Sequence, residues 1–228
     1  RGGMGGGGGR GRWSTRAILR PQGGRRRGVG EGGVHMDVAC IGAPTSDECG
    51  NARGKGGKSN WGVLSYAIVD AKYADKVVVI TNCLVDFPNM PASIEAIDVD
   101  YVVVVDEIGN PKKIASQAAR ISQDPRDLLM AEYCAKVMEA TPYFRDGFSF
   151  QTGVGGAALA ANKFIEPLLL KNDYKIKWII GGISQPAVDM LDKGLVENIV
   201  DTQDFDVPSV QSVHEHPRHF EISTSQYA

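Results

Sequence analysis

The chain has 228 residues, of which 43% are hydrophobic, as expected for one large or two small globular domains. Its formal net charge is −2, and no apolar run suits a secretory signal or a membrane span. The four cysteines lack Cys-x-x-Cys spacing, so we expect reduced thiols in a cytoplasm rather than a disulfide framework.

Residues 1–33 differ in composition from the rest of the chain. Half of the 28 glycines lie there, and residues 1–30 hold eight arginines and no acid. Residues 31–228 therefore carry 17 basic against 27 acidic side chains. Such a segment cannot bury a core, so we predict a disordered or non-native extension over residues 1–33. The alternative is an arginine-glycine arm that binds nucleic acid, although Trp13 is the only aromatic residue available for stacking.

From Val34 onward the sequence alternates strand and helix patterns, which favours an α/β fold with mainly parallel sheets and flanking helices. Short β-branched runs predict strands over residues 36–44, 76–81 and 100–108. Asp124 and Pro125 suit the N-cap and first turn of a long helix. With a boundary after residue 147, the first predicted α/β unit covers residues 34–147.

The second predicted α/β unit covers residues 148–228. A strand from Phe148 breaks at three glycines and continues as a helix over residues 157–171; further elements are predicted at residues 177–182 (strand), 186–193 (helix) and 219–223 (strand). Glycines before a helix start expose backbone N–H groups, so this turn predicts a site for phosphate, pyrophosphate or carboxylate. A tight connection without a ligand is the alternative. The turn is a poor dinucleotide fingerprint, because Ala158 replaces its third glycine.

A second candidate loop, residues 41–62, follows the first predicted strand. Open α/β sheets bind ligands beyond the carboxyl ends of their strands, so we predict substrate contacts from Lys58, Ser59 and Asn60. Lys58 would neutralise a phosphate or carboxylate, whereas Asp47 is expected to fix the turn. A mobile solvated loop is the alternative.

The spacing of the histidines near the C-terminal end does not predict a metal site. These histidines are His214, His216 and His219. Their spacing does not place a pair on one helical face, Pro217 lies between them, and no nearby cysteine completes a ligand set. Carboxylates are available, but no pattern marks one as a nucleophile: Glu95, Glu107 and Glu221.

A family resemblance is carried, in order and length, by residues 37–62, 64–81, 124–138, 147–160, 181–206 and 216–228. Together they resemble the α subunit of citrate lyase, a citrate CoA-transferase within the acetate:carboxylate CoA-transferase superfamily. The resemblance covers about residues 33–228. It implies two α/β halves with the active site between them and a glycine-rich loop in each half.

The resemblance implies that acetyl on an acyl carrier protein is exchanged for citrate, giving citryl carrier and acetate. The thioester would be on the carrier's CoA-like prosthetic group, phosphoribosyl dephospho-CoA, with no cofactor tightly bound to this chain. The implied assembly is a cytoplasmic hetero-oligomer with the carrier (γ) subunit and a lyase (β) subunit that cleaves the citryl thioester. Nucleic acid and membrane are not expected partners.

The resemblance also implies site residues. Expected contacts with the prosthetic group are Gln151, Gly153, Gly155, Gly156, Gly181 and Gly182. The N–H groups of Gly155 and Gly156 are candidate oxyanion donors, so we expect Gly156→Pro to abolish exchange. Many relatives attack the thioester with a glutamate after the following strand, but Gly181, Gly182 and Ile183 occupy that position here. This difference agrees with a mechanism without an enzyme-bound thioester, in which the carboxylate of the bound acceptor acid attacks the thioester of the other acid directly.

Family members have a further segment before the part that resembles Val34 onward, and another after the part that resembles residues up to Tyr227. We find no match to either segment in this sequence. The second unit would also leave a sheet edge open, so we expect an internal fragment with both α/β units incomplete. Two alternatives remain: a non-catalytic fragment that binds CoA or the carrier, and a related transferase that acts on citramalate.

Overall fold

A computed structural model describes residues 16–19, 36–110, 120–153 and 155–227. The first half contains, in chain order, β1 (Arg16–Leu19), β2 (Val38–Gly42), β3 (Thr45–Asp47), β4 (Ala52–Arg53), α1 (Ser65–Tyr73), β5 (Lys76–Thr81), β6 (Leu84–Val85), a 3₁₀ turn (Ala96–Asp98) and β7 (Tyr101–Val104). The second half contains α2 (Pro125–Glu139), β8 (Phe148–Phe150), α3 (Gly156–Asn172), β9 (Ile176–Ile183), α4 (Gln185–Asp192), β10 (Val196–Asp204), α5 (Val207–Glu215), β11 (His219–Glu221) and α6 (Thr224–Tyr227).

The first sheet has the strand order β1-β7-β5-β2. Strands β2, β5 and β7 are parallel, with Val38 opposite Lys76 and Val78 opposite Tyr101. Alternate residues of these strands point to one face, where they form a core with α1: Ala39, Ile41, Val77, Val79, Val102, Ala71 and Ala74. A small sheet, β4-β3-β6, lies beyond the carboxyl end of β2.

The second sheet has the order β11-β10-β9-β8, and all its neighbouring strands are parallel. Helix α2 packs on α3, and the two helices bring small residues to the core between them: Ala131, Ala135, Ala160 and Ala161. Small side chains allow the helix axes to approach closely. The α/β class with mainly parallel sheets is therefore confirmed.

The predicted elements agree closely with the structure at several boundaries. Strand β5 has the predicted bounds, and α3 differs from its prediction by one residue at each end. Asp124 caps α2, because its Oδ1 accepts a hydrogen bond of 2.8 Å from the backbone N–H of Arg126.

Residues 16–19 differ from the disorder predicted for residues 1–33. They form β1, which pairs antiparallel with β7 from Arg16 opposite Val104 to Leu19 opposite Tyr101. The physical reason is that β7 pairs with β5 on one side only, so its backbone N–H and C=O groups on the other side need partners, which β1 supplies. The remainder of that prediction, including Trp13, lies outside the described residues. Within the described part of the chain, no helix combines the length and apolar character needed to cross a membrane.

Candidate functional site

The carboxyl ends of the second sheet's strands meet at one edge, as in other parallel sheets. Gln151 follows β8, Ser184 follows β9, Phe205 follows β10 and Ile222 follows β11. Backbone hydrogen bonds join these segments, for example from Phe205 N–H to the Ile183 carbonyl at 2.9 Å. This edge is where an α/β sheet places its ligands.

The glycine turn at this edge leads directly into α3. Gly155 is the N-cap, with φ −68° and ψ 148°, and no side chain caps the helix. A Cβ built on Gly155 would meet no atom within 4 Å, whereas one on Gly156 would lie 3.0 Å from the Arg120 carbonyl oxygen. The backbone is therefore open at Gly155, and Gly156 packs closely against the segment before α2. The N–H groups of the first turn of α3 can be offered to an anion.

Gln151 and Gly181 lie together at the same edge. The amide Nε2 of Gln151 donates a hydrogen bond to the hydroxyl of Tyr227, and a Cβ on Gly181 would lie 3.1 Å from that nitrogen. Gly181 has φ +121°, a conformation that favours glycine. Gly182 has a packing role, because a Cβ there would lie 2.1 Å from the ring of Phe205.

An apolar cavity of about 420 Å³ lies between α2 and α3 and reaches the glycine turn. Its polar end is formed by Gln151, Thr152 and Gly153. The rest of its wall is apolar or sulfur-containing: Met130, Ala131, Cys134, Ala135, Met138, Phe150, Ala157, Ala158, Ala161 and Ile165. Its volume is in the range of small-molecule sites.

The second candidate loop crosses the carboxyl edge of the first sheet. Ser59 is buried; its hydroxyl accepts a hydrogen bond of 2.9 Å from Asn82 Nδ2 and lies 3.5 Å from the Gly109 carbonyl oxygen, to which it donates. The Trp61 ring lies against the backbone of Gly42 and Gly109, where added Cβ atoms would come within 3.1 Å and 3.0 Å of it. The Ser59 hydroxyl is therefore engaged in holding the loop.

The other two predicted substrate contacts differ from Ser59. Lys58 is exposed, so its ammonium group is accessible to an anion. Asn60 is partly buried, and its Oδ1 has no hydrogen-bond partner among the described residues. This loop therefore offers two polar groups to a ligand: the exposed ammonium of Lys58 and the Oδ1 of the partly buried Asn60.

Asp47 fixes a turn, as expected. Its Oδ2 accepts hydrogen bonds from Asn51 Nδ2 at 2.7 Å and from the Asn89 N–H at 3.0 Å, and its Oδ1 accepts one from the Asn51 N–H. Burial alone would raise the pKa of this carboxyl, but the hydrogen bonds from Asn89 and Asn51 hold the pKa below its ordinary value. A carboxylate held ionised in this way is suited to structure rather than to proton transfer.

Carboxylates of the second half reach the first half at the start of α1. Asp204 Oδ2 accepts a hydrogen bond of 2.9 Å from the Val63 N–H. Glu221 Oε1 accepts from the Leu64 N–H, and its Oε2 accepts a hydrogen bond of 2.5 Å from Ser93 Oγ. These contacts join the carboxyl ends of β10 and β11 to the loop that crosses the first sheet.

His219 and a second aspartate, Asp201, lie next to Asp204. His219 is buried, with Nε2 at 3.1 Å from Asp201 Oδ2 and Nδ1 at 2.9 Å from Ser212 Oγ. Burial raises the pKa of Asp201 to about 7; burial, with the charge of Asp201, raises the pKa of Asp204 to about 8. Burial also raises the pKa of Glu221 and lowers the pKa of His219 to about 4. At neutral pH the histidine is therefore uncharged.

The three histidines have separate environments. His216 Nδ1 accepts a hydrogen bond of 3.1 Å from the Arg218 N–H, and His214 is exposed. Among residues 16–19, 36–110, 120–153 and 155–227, no group of three or more His, Cys, Asp or Glu side chains could hold a metal ion.

Sequence reasoning missed Asp201 and Asp204 because it looked for an acid along the chain after Gly182. The acids come from the neighbouring strand, where Asp201 pairs with Gly181 and Asp204 with Ile183. The register shifts between Asp201 and Gln203, so one extra residue of β10 places both aspartates on the same side. No local pattern announces such a bulge.

Comparison with known proteins gives consistent results along the whole chain. The sequence profile of the family described as "Citrate lyase, alpha subunit (CitF)" matches residues 1–228, a range that extends beyond residues 33–228. The citrate lyase alpha chain of Klebsiella pneumoniae is 46% identical over 210 residues, which are 92% of this chain and 41% of that relative. The corresponding Escherichia coli (strain K12) chain is 44% identical with the same coverage. The chain thus spans about two fifths of the length of these relatives.

Solved structures agree. The alpha subunit of citrate lyase from Streptococcus mutans, determined in complex with citrate, matches with a TM-score of 0.80 and 50% identity, over 86% of this chain and 38% of that one. The malonate decarboxylase alpha subunit of Acinetobacter baumannii has a TM-score of 0.54 at 23% identity, over 81% of this chain and 33% of that one, which shows a shared fold. From the profile match over all its residues and these relatives, we conclude that the chain belongs to the citrate lyase alpha subunit family.

Proposed function

We propose that this chain carries the glycine-turn side of a citrate CoA-transferase site, which exchanges the acetyl group of a carrier thioester for citrate. The observation that carries the proposal is the uncapped start of α3 at Gly155, open to a ligand at the carboxyl edge of a parallel sheet. The citrate-bound Streptococcus mutans relative supports citrate as the acceptor.

The chemistry needs an activated acyl carbon, which the thioester of the carrier's CoA-like group supplies. A citrate carboxylate oxygen bonds to the acetyl carbon as the sulfur leaves, giving a mixed anhydride and a thiolate. The thiolate then attacks the citryl carbonyl, and acetate leaves with the oxygen that bridged the two acyl groups. No water, proton donor or oxidant is consumed, so positioning and oxyanion stabilisation remain as the tasks of the protein.

The described residues fit these tasks. The Gly155 and Gly156 N–H groups would donate to the oxyanion that develops on the thioester oxygen. Gln151 and Thr152 would hold polar groups of the prosthetic arm at the mouth of the α2–α3 cavity. Lys58 would pair with a citrate carboxylate, since it is an exposed cation of the loop at residues 41–62.

The test is a single turnover of acetyl carrier with citrate labelled by ¹⁸O in its carboxylates, using the full-length chain in its native assembly. The bridging oxygen comes from citrate, so the acetate released in the first turnover should carry one label, with one acetate formed for each acetyl carrier consumed. Unlabelled acetate in that first turnover would indicate an acyl-enzyme route, and carrier binding without acetate would indicate a non-catalytic module. Citramalate in place of citrate tests the choice of acceptor.

A further inference from the structure

The start of α1 is secured by side chains far along the sequence. Its N-cap is Leu64, with φ −99°, and no side chain near it in sequence caps the helix. Instead, Asp204 and Glu221 accept from the N–H groups of Val63 and Leu64, across 141 and 157 residues. These carboxyl oxygens accept from N–H groups that a local cap would otherwise satisfy.

The turn that receives these carboxylates is closely matched to them. Gly62 has φ +92°, and a Cβ there would lie 1.8 Å from Asp204 Oδ2 and 3.2 Å from Val210 Cγ2. Any side chain at this position would push Asp204 away from the Val63 N–H. The glycine therefore permits the close approach of the two halves.

The other end of the same loop is also tied to the second half. Lys55 Nζ lies 3.4 Å from the Val213 carbonyl oxygen, to which it donates, in the last turn of α5. Free carbonyl groups at the end of a helix favour a cation. Residues 56–61 thus span the distance between two attachments, and Lys58 is exposed between them.

We propose that Asp204 and Glu221 are positioning residues, which hold the Gly62–Leu64 turn from the second half and so fix residues 55–60 at the substrate site. They would act through the loop without touching substrate. Asp204 and Glu221 would then determine how well Lys58 meets a carboxylate. This last step rests on the proposed function, whereas the effect on loop position does not.

The first test is trypsin cleavage after Lys58 in the full-length chain in its native assembly, followed by mass spectrometry. Asp204→Ala and Glu221→Ala each remove one acceptor, so cleavage at Lys58 should become about tenfold faster. Asp204→Asn and Glu221→Gln keep an acceptor oxygen and should restore most of the protection. Unchanged cleavage in the folded alanine variants would overturn the proposal.

A second pair of variants keeps the test decisive if the alanine variants do not fold. Gly62 and Gly194 both have positive φ, but a Cβ on Gly194 would meet no atom within 4 Å. Both Gly62→Ala and Gly194→Ala introduce backbone strain, and only the former displaces Asp204. Faster cleavage at Lys58 in Gly62→Ala alone supports the proposal; equal rates in both variants contradict it.

The kinetic test separates positioning from general stability. We expect Asp204→Ala to raise the KM for citrate about tenfold with a smaller change in kcat, and Asp204→Asn to reverse most of this rise. Combined with Lys58→Ala, the loss should be less than additive, because both changes affect one contact. Full additivity with Lys58→Ala would refute action through this loop. An inactive wild type would refute the proposed function and leave the trypsin result to decide the positioning role.

Discussion

Gly155 and Gly156 are adjacent in sequence but differ in their surroundings. A side chain at Gly156 would press on Arg120 and Ser122, and the Gly156 carbonyl accepts a hydrogen bond of 3.2 Å from the Ser122 N–H. Gly156→Pro would therefore disturb packing as well as remove a donor. Gly155 has free space around it, so a change there isolates the N–H group.

We predict that Gly155→Pro lowers kcat for exchange by about 100-fold to 1000-fold, the usual effect of removing one oxyanion donor. The φ of −68° already suits proline, so the backbone can keep its shape. Gly155→Ala is the matched control, since it adds a Cβ and keeps the N–H; its loss should be far smaller. Equal rates for both variants, at similar melting temperatures, would exclude this donor.

At the scale of elements, Asp206 caps two helices at once. Its Oδ1 accepts from the Ser209 N–H at 3.0 Å in a capping box at the start of α5. Its Oδ2 accepts from the Gln185 N–H at 2.7 Å at the start of α4. One side chain thus orients two helices that follow neighbouring strands.

We predict that Asp206→Ala lowers the free energy of unfolding by about 2 kcal/mol, and that Asp124→Ala, which removes one cap, lowers it by about 1 kcal/mol. Urea unfolding of both variants beside the wild type measures the difference. If Asp206→Ala costs no more than Asp124→Ala, the second cap does not contribute to stability.

Local signals explain which elements were predictable. Asp124 and Pro125 announce α2 through cap chemistry, and the β-branched run of β5 needs no partner to be recognised. Strand β10 ends in polar residues that resemble a loop, yet Asp201 and Thr202 are buried there because other strands and helices supply their surroundings. Its assignment depends on tertiary contacts, which periodicity does not record.

The candidate site divides in the same way. The glycine turn could be predicted, because glycines between a strand and a helix have a local conformational reason. The Asp201–Asp204 pair could not, because a bulge sets its geometry and because Asp204 meets Val63 of the other half. Substrate contacts, which depend on several loops at once, remain predictions.

At the scale of the whole molecule, the buried carboxyls make stability depend on pH. Asp201 and Asp204 have pKa values of about 7 and about 8 in the folded chain, against 3.8 ordinarily. Between pH 3.8 and about 8 the folded chain binds more protons than the unfolded chain, so the free energy of unfolding falls as pH rises. His219 has the opposite effect, but mainly below its ordinary pKa of 6.5.

We therefore predict that the melting temperature falls as pH rises from about 6.5, the ordinary pKa of His219, to about 8, the pKa of Asp204. Asp204→Asn cannot ionise and should flatten this slope. Thermal unfolding of both proteins in a series of buffers is the measurement. An equal slope for the variant would show that Asp204 does not bind the extra proton.

The separation in sequence between the two sides of the Val63–Leu64 contact has a consequence during synthesis. The carboxylates that complete the start of α1 are 141 and 157 residues downstream. At about 5–20 residues per second, a ribosome needs roughly 7–30 s to produce them after Val63 and Leu64. Throughout that interval the start of α1 lacks the acceptors for the Val63 and Leu64 N–H groups, and its folding is completed only by residues that are made later.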